Sequence, residues 1–140
     1  MELLFGVLLA LGVGLFGTVV GLDRERGFYP VMMIVIAACY GLFAIMGGGA
    51  ALAVELVIMT PFVIAAVVGF RRNLWLVVAA LIGHGLMDLA HSQFVDNPGA
   101  PGWWPMFCLS FDAVAGLFLA VRLLQATPFK AAWPSPDGDA

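Results

Sequence analysis

Charged residues are scarce in this chain. Only 11% of its 140 residues are Asp, Glu, Lys or Arg, whereas 63% are hydrophobic. A soluble globular domain carries about 25% charged residues and about half apolar ones, and a soluble fold of this length has too little interior to bury so much apolar surface. The formal net charge of −3 also argues against a nucleic-acid partner. The composition therefore predicts an integral membrane protein with lipid as its surroundings.

The basic n-region of a signal peptide is also missing. The chain begins Met1-Glu2-Leu3-Leu4, and no small-residue cleavage pattern ends the first apolar run at the usual place. We therefore interpret that run as a retained span. Hydropathy divides the chain into five stretches, each near the roughly 20 residues that cross a bilayer. These stretches are expected at about residues 3–22, 28–46, 50–70, 74–91 and 103–124.

The predicted fold class is an all-α integral membrane protein, a compact bundle of five transmembrane helices formed by residues 1–124. A polar, Pro-rich cytoplasmic tail is expected over residues 125–140. Three of the four connections are so short that only antiparallel hairpins can use them. Consecutive spans are then expected to pack against each other, including the third, fourth and fifth.

Basic residues predict the orientation of the bundle. With five spans, all six fall on one side of the membrane, and none falls on the other: Arg24, Arg26, Arg71, Arg72, Arg122 and Lys130. The positive-inside rule then predicts an N-terminus outside and a C-terminus in the cytoplasm.

The fourth span carries His84, Asp88 and His91, at positions i, i+4 and i+7. At 100° per residue these positions lie within an arc of about 60° on one helix face. An ionisable group near the centre of a spanning helix costs roughly 2.5–3.5 kcal/mol or more. Three on one face therefore need a metal ion, a proton partner or a polar substrate, and we predict these residues as metal ligands.

Two further carboxylates lie at a similar predicted depth in neighbouring spans. Glu55 is close to the start of the third span and Asp112 lies within the fifth. Both are expected to converge with His84 on one site in the outer half, each acting as a general base or as a fourth ligand. Taken singly, either carboxylate could instead cap a kink or bond a neighbouring helix. His84 with Asp88 could form a neutral pair that fixes helix register.

Imidazoles and carboxylates suit a divalent ion; zinc is favoured, with iron, manganese or copper as alternatives. His84-x-x-x-Asp88 within a span resembles one half of the intramembrane zinc site of cation diffusion facilitators. More distantly, it is similar to the His/Asp zinc sites of intramembrane lipid hydrolases related to alkaline ceramidases. Both resemblances are limited to this short motif, and they imply zinc bound by His84 and Asp88 without assigning the chain to either family.

The sequence thus predicts an outer-leaflet metal site that acts on a lipid-like or small amphipathic substrate, which would make the protein an intramembrane metal-dependent hydrolase. Alternative functions are metal or proton transport or sensing, a non-catalytic accessory subunit whose carboxylates and imidazoles share protons, and a heme anchor with His84 as axial ligand.

Two surfaces are predicted beside the site and the first span. The turn-rich segment Ser92–Pro101 is expected to lie with the triple glycine Gly47-Gly48-Gly49 on the outer face and to cover the site as a lid. Gly17 and Gly21 form a small-xxx-small pattern that lets helices approach closely. We therefore expect a homo-oligomer that packs through the first span.

Overall fold

The structure is a computed structural model, and it describes residues 1–125. Within that range the regular structure is all helical. The five long helices are each long and apolar enough to cross a membrane, which confirms the predicted fold class. They are α1 (Glu2–Val20), α2 (Phe28–Met46), α3 (Leu52–Arg71), α4 (Trp75–Phe94) and α5 (Trp104–Gln125). The tail predicted beyond Gln125, with Lys130, lies outside the described residues.

Short connections make the helices alternate in direction, so the bundle has two distinct ends. Residues 47–51 and 95–103 connect helices at one end, which we call the glycine end. Residues 21–27 and 72–74 connect helices at the other, which we call the arginine end because it carries Arg24, Arg26, Arg71, Arg72 and Arg122. Helices of 19–22 residues are about 30 Å long, close to the hydrocarbon thickness of a bilayer.

The first helix packs against the last one, and α3 and α5 each pack on α4. Close approach of α1 to α5 depends on small residues, since a Cβ added at Gly14 would lie 2.9 Å from the Phe118 ring. The buried face of α1 consists of Gly6, Ala10, Gly14 and Gly17. Gly6, Gly14 and Gly17 of the first span are therefore buried within the chain, whereas Gly12 is exposed.

Gly17 and Gly21, the predicted self-association residues, both have structural roles within the single chain. Gly17 is buried, and a Cβ there would lie 3.1 Å from the ring of Phe28. Gly21 follows the last helical residue and has a φ of 87°, the left-handed conformation that ends many helices and favours glycine. Homo-oligomerisation itself stays a prediction, for which another surface of the chain would be needed.

The fourth helix is longer at its C-terminal end than hydropathy predicts. The helix continues to Phe94, whereas the predicted span ends at His91. His91 therefore lies one turn inside the helix, and its side chain is only 4% exposed within the bundle. Hydropathy misses the last turn because Ser92 and Gln93 are polar, although both retain helical backbone bonds.

Candidate metal centre

The polar face of α4 points into the bundle. His84 and Asp88 are among the most buried side chains of the described chain, at 0% and 1% exposure. Counted from the end of α4 at 1.5 Å per residue, Asp88 lies about 9 Å and His84 about 15 Å below the glycine end. The predicted burial of this face is confirmed.

A glycine on α4 allows α5 to bring its carboxylate to this face. A Cβ added at Gly85 would lie 3.3 Å from the backbone of Leu109 and 3.3 Å from the Cβ of Asp112. Any larger residue at this position would push α5 away, whereas glycine allows the two helices to come into close contact. Asp112, itself 0% exposed, therefore reaches the imidazole of His84, as the sequence predicts.

His84, Asp88 and Asp112 form one group of candidate metal ligands, which we call the triad. One ligand atom from each residue lies within 4.8 Å of the other two. His84 Nδ1 is 2.8 Å from Asp112 Oδ2 and 3.6 Å from Asp88 Oδ2. Of the predicted ligands, the structure thus brings together two, and it adds Asp112, which the sequence places at the site as a base or fourth ligand.

These distances fit a small divalent ion. Zinc bonds to nitrogen and oxygen are about 2.0–2.2 Å, so two ligand atoms at a tetrahedral ion are about 3.3 Å apart. The two distances from His84 Nδ1, 2.8 and 3.6 Å, fall on either side of that value. The remaining pair of ligand atoms also lies within 4.8 Å, so the three atoms are close enough to surround one ion after local adjustment of the side chains.

The triad also holds buried polar atoms that lack partners. Within residues 1–125, no hydrogen bond reaches either oxygen of Asp88, Oδ1 of Asp112 or Nε2 of His84. Buried polar atoms are normally paired, and each unpaired one costs about 1–3 kcal/mol, more when charged. Protein groups alone therefore leave these four atoms without partners. A bound cation or additional protons could supply the missing interactions.

A second polar group lies nearer the glycine end and contains the remaining predicted residues. His91 Nε2 is 2.9 Å from Glu55 Oε2. The amide of Asn97 donates to Glu55 Oε1 at 2.7 Å and to the carbonyl of Tyr40 at 3.1 Å. Glu55 is 0% exposed. Each of its two carboxylate oxygens is bonded to a protein side chain. The structure pairs His91 and Glu55 with each other and does not place them in the triad.

Tyr40 of α2 connects the two groups. Its ring stacks on His91 with centroids 4.0 Å apart, and its centroid is 6.3 Å from that of His84. The Tyr40 hydroxyl is buried and, in the described part of the chain, has no hydrogen-bond partner. Tyr40 therefore contacts both groups at the place where they meet.

The connection over residues 95–103 covers the second group. Its own residues Val95 and Asn97 are buried, and Gly99 packs so closely on the turn at Gly47 that a Cβ at Gly47 would lie 2.6 Å from the Gly99 nitrogen. The structure therefore places this segment and the triple-glycine turn together, as predicted. The segment contacts Glu55 and Tyr40 directly. Tyr40 in turn lies beside His84 of the triad.

Sequence reasoning missed two participants, Tyr40 and Asn97. Tyr40 is one of several aromatic residues in an apolar span, and its hydroxyl was the available signal, since a buried tyrosine hydroxyl normally has a partner. Asn97 precedes a proline and a glycine, a pattern typical of a turn. Nothing in that pattern indicates that its amide reaches Glu55, which is 42 positions away.

The chain has no recognised relative to extend this description: no protein-family model, no curated protein and no solved structure matches it. The candidate site therefore rests on its own geometry.

Proposed function

We propose that this protein is an integral membrane protein that binds a divalent metal ion between His84, Asp88 and Asp112. The observation that carries the proposal is the triad, in which three ligand atoms lie within 4.8 Å of one another while both Asp88 oxygens have no partner among residues 1–125. Carboxylates buried at this depth are costly unless they are paired or coordinate a metal. A bound ion would satisfy them.

Zinc is the favoured ion. One imidazole and two carboxylates are ligands that zinc accepts, and iron or manganese would accept them as well. Copper prefers soft sulfur ligands or several imidazoles, and the triad offers neither. The donor set therefore supports zinc, iron or manganese over copper.

Three protein ligands favour a catalytic site over a purely structural one, because structural zinc sites close all four positions with protein side chains. In the open position a bound ion would lower the pKa of a water molecule to near neutrality. We therefore propose metal-dependent hydrolysis of a lipid-like or small amphipathic substrate. Glu55 is retained as a candidate base, and the unpaired hydroxyl of Tyr40, whose ring centroid is 6.3 Å from that of His84, is a candidate donor of a hydrogen bond to a reacting oxygen.

Metal sensing or storage is the second candidate function, and the enclosure of the triad favours it. All three side chains are at most 1% exposed, which suits retention of an ion better than rapid exchange with a substrate. Transport across the bilayer is less well supported, because the buried carboxylate towards the arginine end, Asp23, is already paired with Arg122. An ion leaving the triad in that direction would meet a carboxylate that a cation already neutralises.

The test is the metal content of the protein purified in mild detergent, measured by elemental mass spectrometry. We expect stoichiometric metal in the wild type and none in His84→Ala. His91→Gln is the matched control, since glutamine can still donate to Glu55, and it should retain metal. Equal metal content in the wild type and His84→Ala would contradict the proposal.

We also propose that the arginine end faces the cytoplasm, so that the N-terminus lies outside. The support is that all five arginines lie at that end. A reporter fused after Gln125 should behave as cytoplasmic, whereas one inserted after Gly49 should be accessible from outside. The reverse result would overturn the orientation without affecting the metal site.

A further inference from the structure

A pocket opens at the glycine end directly above the second polar group. Its volume is about 410 Å³, and Tyr40, His91, Asp96 and Asn97 are among the residues that line it. Asp96 is exposed, whereas Tyr40 and His91 are buried and face the pocket from below. Tyr40 also contacts His84 of the triad. The pocket is therefore separated from the triad by the Tyr40 side chain.

Oxygen atoms dominate the polar chemistry of this pocket. The Asp96 carboxylate lines it, and Glu55 lies behind His91, to which it is bonded. Two buried oxygens, Oδ1 of Asn97 and the hydroxyl of Tyr40, have no hydrogen-bond partner in the described chain. Carboxylate, amide and imidazole groups are ligands for divalent cations.

The charges around this pocket disfavour an anionic ligand. The five arginines of the described chain lie at the opposite end of the bundle, about 30 Å away by helix length. Anion sites in proteins normally use arginine, lysine or backbone amides. The charge distribution therefore selects a cation over a phosphate or a carboxylate.

We propose that this pocket is the entrance through which a divalent cation reaches the triad from water. Asp96 attracts the ion, His91 with Glu55 binds it in passing, and the Tyr40 ring is the gate through which it must move. The inference rests on the proposed metal site and deepens it, because it assigns the second polar group a role that the triad does not explain.

The gate is coupled to the covering segment. The Asn97 amide donates to the backbone carbonyl of Tyr40 and to Glu55, so movement of residues 95–103 would free the Glu55 carboxylate and uncover the part of α2 that carries Tyr40. The Tyr40 ring stacks on His91 and has no bonded hydroxyl within residues 1–125. Its rotation would therefore break a stacking contact and no hydrogen bond of the hydroxyl.

The experiment measures how fast metal-free protein in detergent binds Co²⁺, followed by its visible absorbance, together with the final amount bound. Asp96→Asn should load about three- to fivefold more slowly at low ionic strength, because it removes about 1 kcal/mol of attraction for a divalent ion, and the difference should vanish at high salt. The final amount bound should not change. Glu25→Gln removes the same charge from an exposed position at the arginine end and should load at the wild-type rate.

A second variant tests the gate. Tyr40→Leu replaces the ring with a smaller apolar side chain, so Co²⁺ should enter and leave several-fold faster than in the wild type. Entry through this pocket is overturned if Co²⁺ binds at the triad while both Asp96→Asn and Tyr40→Leu load at the wild-type rate. The proposed function fails instead if the wild type binds no Co²⁺, or if His84→Ala binds as much as the wild type does.

Discussion

At the arginine end, Arg26, Arg122 and Asp23 pair with other groups of the protein, whereas at the glycine end several buried polar side chains have no such partner. Arg26 donates to the carbonyls of Gly69 and Phe70 at the end of α3, and Arg122 forms an ion pair with Asp23 at 3.1 Å. At the glycine end, the triad and Tyr40 have several buried atoms that no group among residues 1–125 satisfies. The Tyr29 hydroxyl is the one such atom towards the arginine end in that range.

This difference separates polar groups that hold the chain together from polar groups arranged for a ligand. A paired group at a helix end stabilises the fold and needs nothing more. A cluster of unpaired groups in a low-dielectric interior destabilises the fold until something binds there. The contrast between the two ends is thus the physical basis for assigning the function to the glycine end.

The largest expected effect compares one aspartate from each end. Asp112→Asn should weaken metal binding on the order of 100-fold or more, because even substitutions in the outer shell of metal sites cost about 10–100-fold. Asp23→Asn should leave metal binding unchanged. It should instead lower the free energy of unfolding by about 1–2 kcal/mol, less than for a fully buried pair because Arg122 is partly exposed.

Competition with a chelator of known affinity measures the first effect, and denaturant unfolding in detergent measures the second. If Asp23→Asn lost metal as Asp112→Asn does, the assignment of separate roles to the two ends would be wrong.

The spans and the polar face of α4 could be predicted from the sequence because both depend on local properties. Apolar stretches of about 20 residues are sufficient to place helices, and α2 has the predicted bounds, Phe28–Met46. Spacing at i and i+4 is sufficient to place His84 and Asp88 on one face. Depth along the membrane normal also follows from chain position, which explains why Asp112 was expected at the site.

Lateral neighbours and helix rotation could not be predicted in the same way. Lipid-facing and protein-facing surfaces are both apolar, so hydropathy does not show that α1 packs on α5. The pairing of His91 with Glu55 depends on how α3 and α4 are rotated about their axes. Asn97 reaches Glu55 because of the path of an irregular segment, which no periodic pattern specifies.

A smaller effect on stability is expected when two asparagines are replaced, one at each end of the bundle. Both form side-chain hydrogen bonds. Asn97→Ala should lower the free energy of unfolding by about 2–3 kcal/mol, because it removes a buried hydrogen bond to a carboxylate and another to a carbonyl. Asn73→Ala removes one exposed bond to the Trp75 amide and should cost about 0.5–1 kcal/mol.

Hydrogen exchange distinguishes the two substitutions further. Amides of residues 95–103 should exchange faster in Asn97→Ala, while those of 72–75 should do so in Asn73→Ala. Unchanged exchange over 95–103 in Asn97→Ala would show that this side chain does not hold the segment in place.

The smallest expected effect on stability comes from replacing single glycines by alanine. Gly47→Ala should destabilise the protein by about 1–2 kcal/mol, since its Cβ would lie 2.6 Å from the Gly99 nitrogen and would force the two connections apart. Gly12→Ala is the matched control, because no atom lies within 4 Å of a Cβ at that helical position. It should be neutral or stabilise the protein by up to about 1 kcal/mol. Thermal unfolding of both variants checks this, and equal effects would contradict the packing of Gly47 on Gly99.

The most direct test of the metal centre is X-ray absorption spectroscopy at the zinc edge of zinc-loaded protein. The triad predicts a first shell of nitrogen and oxygen only, at about 2.0–2.2 Å, with outer-shell scattering from one imidazole, and loss of that scattering in His84→Ala. A sulfur ligand, two imidazoles, or a spectrum unchanged in His84→Ala would contradict the assignment of the ion to His84, Asp88 and Asp112.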